Sequence, residues 1–182
     1  MAKKVKKSML PVFIMAAALV FAVLAIVFSV TMDFAGSKLV TTSSTTEGSI
    51  YKGTDVFFGT KDNSGNQVLA GSTLGLVGFI MMIAGAVVLL AGLAISFKKV
   101  KIGKFVAAVA GLVLVVAGIF MFIAPGNFVS TNAEKLNGIL GGLAGLVGAK
   151  AEVVGTLQTG AILSGIFGLV SGIAGIGAAV VK

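Results

Sequence analysis

Four long apolar runs without a charged side chain constrain the fold of this chain more than any other sequence feature. Each is about 20 residues or longer, and a helix of that length crosses the roughly 30 Å hydrocarbon core of a bilayer. With 57% hydrophobic and 11% charged residues, the composition differs from that of soluble domains. We therefore predict an integral membrane protein, mainly α, with a single four-helix transmembrane domain over 1–182. The predicted spans are 9–31, 72–97, 105–124 and 159–181.

Small residues recur at seven-residue intervals in the last three runs. Lipid tails are as apolar as leucine, so membrane helices associate by close backbone contact, which small residues permit. A seven-residue period keeps such a stripe facing one partner helix of a left-handed pair. We predict a left-handed bundle in which the second and third helices form a tight antiparallel pair. The glycines predicted to join the second and third helices are Gly78, Gly85, Gly92, Gly111 and Gly118, and those predicted at helix contacts of the last span are Gly165 and Gly172.

Charged residues predict the orientation of the bundle. The segment before the first span, the inner loop 98–104 and Lys182 together carry nine lysines and no carboxylate. All six carboxylates lie in the other two loops, 33–71 and 125–158. Cytoplasmic loops carry an excess of basic residues, so we expect a multi-pass plasma-membrane protein with both termini cytoplasmic. A lysine-rich start also resembles a secretory signal, but the apolar run is longer than a signal requires. The exclusive use of lysine as the basic residue is typical of a low-GC bacterium.

The absence of several reactive residue types excludes most enzymatic chemistry. The chain contains no histidine, cysteine or arginine, which removes nucleophile–histidine pairs, thiol chemistry and His or Cys metal sites. We expect no enzyme, no catalytic or metal site and no cofactor. The net charge of +8 does not indicate a nucleic-acid partner, because neither arginine nor interleaved basic and aromatic residues are present.

Transport chemistry is restricted in the same way. None of the four spans contains an ionisable residue, whereas most ion-coupled transporters use intramembrane carboxylates. A pore lined by hydroxyl or carbonyl groups stays open as an alternative. Its candidate hydroxyls are those of Ser29, Thr31, Ser72, Thr73, Ser96, Ser164 and Ser171. Packing between helices is the other interpretation of these residues.

The first outer loop, 33–71, is rich in Thr, Ser, Val and aromatic residues, which favour strands. We predict a small extracellular antiparallel sheet within this loop. Its strands are expected at 37–45, 50–58 and 67–70, with turns at 46–48 and 61–66.

Three aromatic residues of this loop, Tyr51, Phe57 and Phe58, have two interpretations. Exposed aromatic anchors dominate protein interfaces, so they form a candidate self-association patch. Alternatively, they seal the underside of the sheet against the bundle.

The second outer loop, 125–158, is predicted to contain an extracellular helix. Pro125-Gly126-Asn127 is expected to end the third span, and Thr131 with Glu134 has the spacing of a capping box. Bulky side chains from Leu136 to Val147 share one face of this helix, and glycines occupy the other. So many glycines weaken a solitary helix, so something must pack against it.

Three partners for that glycine face stay open: the subunit's own first loop and helix ends, a neighbouring subunit, or lipid contacted by a fusion-type segment. A second copy gives the glycines a purpose, since they permit close backbone approach. The glycines predicted to mediate self-association are Gly138, Gly141, Gly142, Gly145 and Gly148.

This order of four helices, a strand-bearing first loop and a shorter helical second loop resembles the claudin-like tetraspan architecture. The likeness is one of topology, because the chain has no Trp or Cys to match the claudin first-loop motif. It implies outer loops that mediate lateral or head-to-head self-association.

These observations lead us to expect a non-enzymatic structural membrane protein. It is expected to self-associate laterally into oligomers or arrays and to shape or join membranes through its outer loops. Its partners are then membrane lipid and other copies of itself. The alternative is a pore-forming or accessory subunit of a channel or transporter.

Overall fold

The computed structural model describes residues 9–41, 45–138 and 151–181, and all structural statements concern these residues. The helices are α1 (Leu10–Thr31), α2 (Gly53–Phe58), α3 (Thr73–Ser96), α4 (Val100–Thr131) and α5 (Thr159–Val180). The strands are β1 (Asp33–Thr41), β2 (Thr45–Lys52), β3 (Thr60–Lys61), β4 (Gln67–Leu69) and β5 (Ala151–Leu157). Residues 133–138 are also helical.

Four of these helices, α1, α3, α4 and α5, are long and apolar enough to cross a membrane, which confirms the predicted count and indicates a multi-pass membrane protein. Their buried residues recur every three or four positions, as the seven-residue period requires. In α1 these residues are Pro11, Val12, Met15, Ala18, Ala22, Ala25 and Ser29.

The helix α4 is longer than the predicted third span of 105–124. It begins at Val100, inside the predicted inner loop, and continues to Thr131 with Pro125 in its interior. The prediction that Pro125 ends this helix was therefore wrong. An interior proline removes one backbone hydrogen bond and crowds the preceding turn. Burial of Pro125, Phe128 and Val129 offsets that cost, because these residues pack at the junction with the sheet.

The main sheet is antiparallel and has the strand order β2-β1-β5. The predicted small antiparallel sheet is confirmed, with β1 and β2 from the first predicted outer loop. Its third strand, however, comes from the second predicted outer loop, so the prediction that all its strands lie in the first loop was wrong. The strand predicted over 50–58 ends at Lys52, and α2 follows it. The Lys52 N–H donates to the Asp55 carboxylate at 3.2 Å, a contact that favours a helix start over a continuing strand.

The turn predicted at 46–48 lies within β2. The β1–β2 register shifts between Gly36 and Lys38, because β2 carries a β-bulge at Gly48 and Ser49 opposite Ser37. A Cβ built on Gly48 would lie 2.9 Å from the Ser37 carbonyl oxygen, so only glycine fits this close approach.

The predicted turn at 61–66 is confirmed as the connection of a small β3–β4 hairpin. The strand predicted at 67–70 exists as β4, although it pairs with β3 and does not join the main sheet. The Asp62 carboxylate accepts hydrogen bonds from the backbone N–H groups of Asn66 and Ser64, and these bonds lower the pKa of Asp62.

The helix predicted in the second outer loop is described only at 133–138. It starts one residue later than predicted, because the Asn132 carbonyl accepts the first bond, from the Leu136 N–H at 2.9 Å. Residues 151–157 form β5, and 139–150 lie outside the described residues.

Candidate functional site: the sheet module and the glycine contacts

Within the described ranges, no group of three or more acidic, His or Cys side chains could hold a metal ion. The features available for function are therefore surfaces and helix contacts. We call residues 33–41, 45–71 and 151–158, which form the sheet, α2 and the β3–β4 hairpin, the sheet module.

The glycines of α3 face α4 as predicted. A Cβ on Gly92 would lie 3.2 Å from the Gly103 carbonyl oxygen. Cβ atoms on Gly78 and Gly85 would lie 2.7 Å from Phe120 Cβ and Leu114 Cγ, respectively. Large side chains of α4 thus fill the gaps at Gly78 and Gly85, whereas at Gly92 the backbones of α3 and α4 approach each other.

The glycines of α4 face a different helix from the predicted one. Cβ atoms on Gly111 and Gly118 would lie 2.5 and 2.9 Å from the carbonyl oxygens of Gly172 and Gly165 in α5. A Cβ on Gly172 would in turn lie 2.6 Å from the Gly111 carbonyl oxygen. The assignment of Gly111 and Gly118 to the contact with α3 was therefore wrong. The helix α4 packs between α3 and α5, with Leu114 and Phe120 against α3 and Gly111 and Gly118 against α5.

Buried serine hydroxyls donate hydrogen bonds inside the subunit. Ser171 Oγ donates to the Ala18 carbonyl at 2.6 Å, which links α5 to α1. Ser96 Oγ donates to the Gly92 carbonyl at 2.8 Å, and Ser29 Oγ to the Ile26 carbonyl at 2.7 Å. Ser164 Oγ donates to the Ala161 carbonyl at 3.2 Å. These four candidate pore hydroxyls are engaged in packing contacts.

The three aromatic residues of the first loop do not share one environment. Phe57 is buried, with its ring centroid 4.9 Å from that of Phe79 in α3 and 5.0 Å from that of Phe34. Tyr51 is also buried, 5.0 Å from the ring of Phe128 in α4. Tyr51 and Phe57 thus join the sheet module to the bundle. Phe58 is 59% exposed and is the one of the three available at the surface.

A buried asparagine that sequence reasoning missed connects the two predicted outer loops. Asn132 Oδ1 accepts from the Ala70 N–H at 2.8 Å, and Asn132 Nδ2 donates to the Ala70 carbonyl at 2.9 Å. Nearby, Ser72 Oγ at the start of α3 donates to Asn127 Oδ1 of α4 at 2.7 Å. The only sequence signal is a polar residue beside a helix end, which is too common to identify such a contact.

The two edges of the main sheet have different surroundings. At β5, a Cβ on Gly155 would lie 3.0 Å from the Pro125 carbonyl oxygen, so this strand passes directly against α4. At β2, no strand other than β1 pairs with it among the described residues. Most β2 side chains are exposed, and Ile50 is 59% exposed. Both β2 and β5 are outer strands, and we call β2, whose side chains are the more exposed, the free edge of the described sheet.

The glycines predicted to mediate self-association lie largely beyond what the structure describes. Gly138 is exposed, and no atom lies within 4 Å of a Cβ built on it. Gly141, Gly142, Gly145 and Gly148 lie outside the described residues. Their role in assembly stays a prediction.

The four long apolar helices and the small sheet are compatible with a tetraspan fold. Comparison of the chain with family models, curated proteins and solved structures gives no match.

Proposed function

We propose that this chain is a structural membrane protein without enzymatic activity, which self-associates laterally through its sheet module in a claudin-like arrangement. The proposal places it in the plasma membrane, with both termini and the loop between α3 and α4 on the cytoplasmic side. The observation that carries self-association is the free edge at β2 with the exposed side chain of Ile50.

An edge strand presents N–H and C=O groups that can pair with a strand of another chain. The eight residues of β2 provide such an edge, and Ile50 adds apolar area that a second copy would remove from water. The bulge at Gly48 and Ser49 interrupts regular pairing. That interruption favours a limited contact between copies over an open-ended fibre.

The interior of the bundle supports a structural role more than a conducting one. Its largest buried side chains are apolar, among them Met15, Met82, Leu89, Leu114 and Met121. A pore-forming subunit remains the alternative function, and no observation on the described residues favours it. A flux assay with purified protein in liposomes tests that alternative, because specific passage of a solute would support it.

The proposed contact is tested by Ile50→Glu, with Val68→Glu as the matched control. Both residues are exposed apolar positions on strands of the sheet module, and both changes add one negative charge. We expect crosslinking in native membranes to show dimers and larger species for the wild type and for Val68→Glu. In Ile50→Glu these species should fall on the order of tenfold, since an apolar contact of this size contributes about 1.5 kcal/mol or more. Equal amounts of crosslinked species in all three proteins would contradict the proposed contact.

A further inference from the structure

The end of the bundle opposite the sheet module carries a basic turn, defined here as residues 97–105. It joins α3 to α4, and Lys98, Lys99 and Lys101 are exposed within it. Phe97 and Phe105 flank these lysines in the sequence, and their rings are 65% and 71% exposed, respectively. The turn thus combines exposed positive charge with exposed aromatic surface.

No carboxylate side chain lies within the basic turn. The six carboxylates lie within the sheet module or in the segment after α4, and the one ion pair among the described residues joins Lys38 to Glu47 in the module. The side chains of Lys98, Lys99 and Lys101 make no hydrogen bond or ion pair with any described residue. Lys104 differs, because its Nζ donates to the Val181 carbonyl and so ties the start of α4 to the end of α5. Three ammonium groups of the turn are therefore available to an external anion.

The position of the turn along α4 indicates which anion it meets. The uninterrupted uncharged run of α4 begins at Phe105, and Lys101 precedes that residue by four positions, or about 6 Å of helix. The headgroup layer of one leaflet is about 5–7 Å thick, so these lysines lie at the depth of the lipid phosphates. The exposed rings of Phe97 and Phe105 are fully apolar, so they favour the hydrocarbon next to that headgroup layer.

We propose that the basic turn binds the phosphate headgroups of anionic phospholipids through Lys98, Lys99 and Lys101. Lysine clusters directly beside a transmembrane helix attract anionic lipid, and among the described residues no carboxylate side chain forms an ion pair with these lysines. The ammonium groups bind the headgroup phosphate, while Phe97 and Phe105 contact the upper acyl chain. This inference does not depend on self-association at β2.

The test uses the full chain reconstituted in phosphatidylcholine membranes with a trace of spin-labelled lipid. The measurement compares the association of labelled phosphatidylglycerol with that of labelled phosphatidylcholine. We expect the wild type to prefer phosphatidylglycerol roughly fivefold, which is the effect of about one lysine near a membrane surface. The triple change Lys98→Gln, Lys99→Gln and Lys101→Gln should reduce this preference to near unity.

Two controls separate a local site from net charge. The triple change Lys38→Gln, Lys52→Gln and Lys61→Gln removes the same charge from the sheet module and should leave the preference intact. Replacing the three turn lysines by arginine should also preserve it. Loss of the preference in the sheet-module control, or its persistence in the turn variant, would overturn the proposal.

Lysines beside a span also direct insertion into the membrane, so a second measurement uses the wild type alone and does not depend on accumulation of the glutamine variant. Raising the salt concentration to about 1 M shortens the screening length to roughly 3 Å and should abolish the preference for phosphatidylglycerol. A preference that is absent at low salt, or that is unchanged at high salt, would overturn the proposal.

Discussion

At the scale of single residues, Asn132 shows how a side chain outside the main sheet holds the two predicted outer loops together. Its amide makes three hydrogen bonds, two with Ala70 and one with the Phe128 carbonyl at 2.8 Å. Asn132 is buried and Ala70 is half-buried, so their hydrogen-bonded groups have limited access to water. Because buried polar groups cost free energy when unpaired, Asn132 should contribute more to stability than its position beside a helix end suggests.

The change Asn132→Asp tests this contribution with almost no change in shape. An ionised carboxylate cannot donate to the carbonyls of Ala70 and Phe128, so both lose a partner. We expect the free energy of unfolding in detergent to fall by about 1–3 kcal/mol. This loss of stability should be smaller at low pH, because a protonated carboxyl at position 132 can again donate one hydrogen bond.

Ser130→Ala is the control for this change, since Ser130 is exposed and its hydroxyl bonds only to the Asn127 carbonyl within α4. It should alter stability by less than about 0.5 kcal/mol. If Asn132→Asp unfolds at the wild-type temperature at neutral pH, the amide contacts do not stabilise the fold.

At the scale of elements, the period of small residues predicted which side of each helix is buried, but not which helix covers it. In α4, Gly111 and Gly118 belong to the buried surface, as predicted, yet they contact α5. A helix that packs against two neighbours carries two adjacent stripes of buried residues. Both stripes have the same seven-residue repeat, so the repeat does not identify the neighbour that each stripe contacts. Only the large side chains opposite, such as Leu114 against Gly85, distinguish the two contacts.

The change Gly111→Ala or Gly172→Ala tests the contact between α4 and α5. Each added methyl group would lie within 2.6 Å of the carbonyl oxygen of the other glycine, so the two backbones must separate. We expect each change to lower the free energy of unfolding in detergent by about 1–3 kcal/mol.

Gly126→Ala and Gly177→Ala are matched controls in the same two helices, because no atom lies within 4 Å of a Cβ built on either residue. Alanine favours a helix over glycine by up to about 1 kcal/mol, so these changes should be neutral or stabilising. Equal losses at all four positions would mean that close approach of α4 and α5 does not determine the effect.

At the scale of the whole molecule, the sequence allowed four spans and a small sheet to be predicted, because both depend on local composition and period. The pairing of β1 with β5 could not be predicted from the sequence, because more than a hundred residues of chain separate these strands. Strand composition predicts that a segment pairs but not with which partner. The continuation of α4 beyond Pro125 was missed for a related reason, because tertiary packing decides it.

The orientation of the whole molecule can be tested with single cysteines, since the natural chain has none. Lys101→Cys places a thiol in the basic turn and Asn63→Cys places one at the tip of the β3–β4 hairpin; both positions are exposed. With the basic turn cytoplasmic, a membrane-impermeant maleimide should modify only Asn63→Cys in intact cells and both variants after lysis. Modification of Lys101→Cys in intact cells would contradict the proposed orientation.

Pairing between the two predicted outer loops can be tested with a disulfide. Lys38 in β1 lies directly opposite Val154 in β5. Opposed residues in antiparallel strands have Cα atoms about 4.5–5.5 Å apart, within the range that a disulfide spans. The double change Lys38→Cys and Val154→Cys should therefore form an intramolecular disulfide under mild oxidation, visible as a faster-migrating monomer on a non-reducing gel.

The pair Lys38→Cys and Thr156→Cys is the control, because Thr156 is opposite Gly36 and thus diagonal to Lys38, at about 7–8 Å. Efficient crosslinking of both pairs would indicate a loose or shifted register, and crosslinking of neither would show that β1 and β5 do not pair.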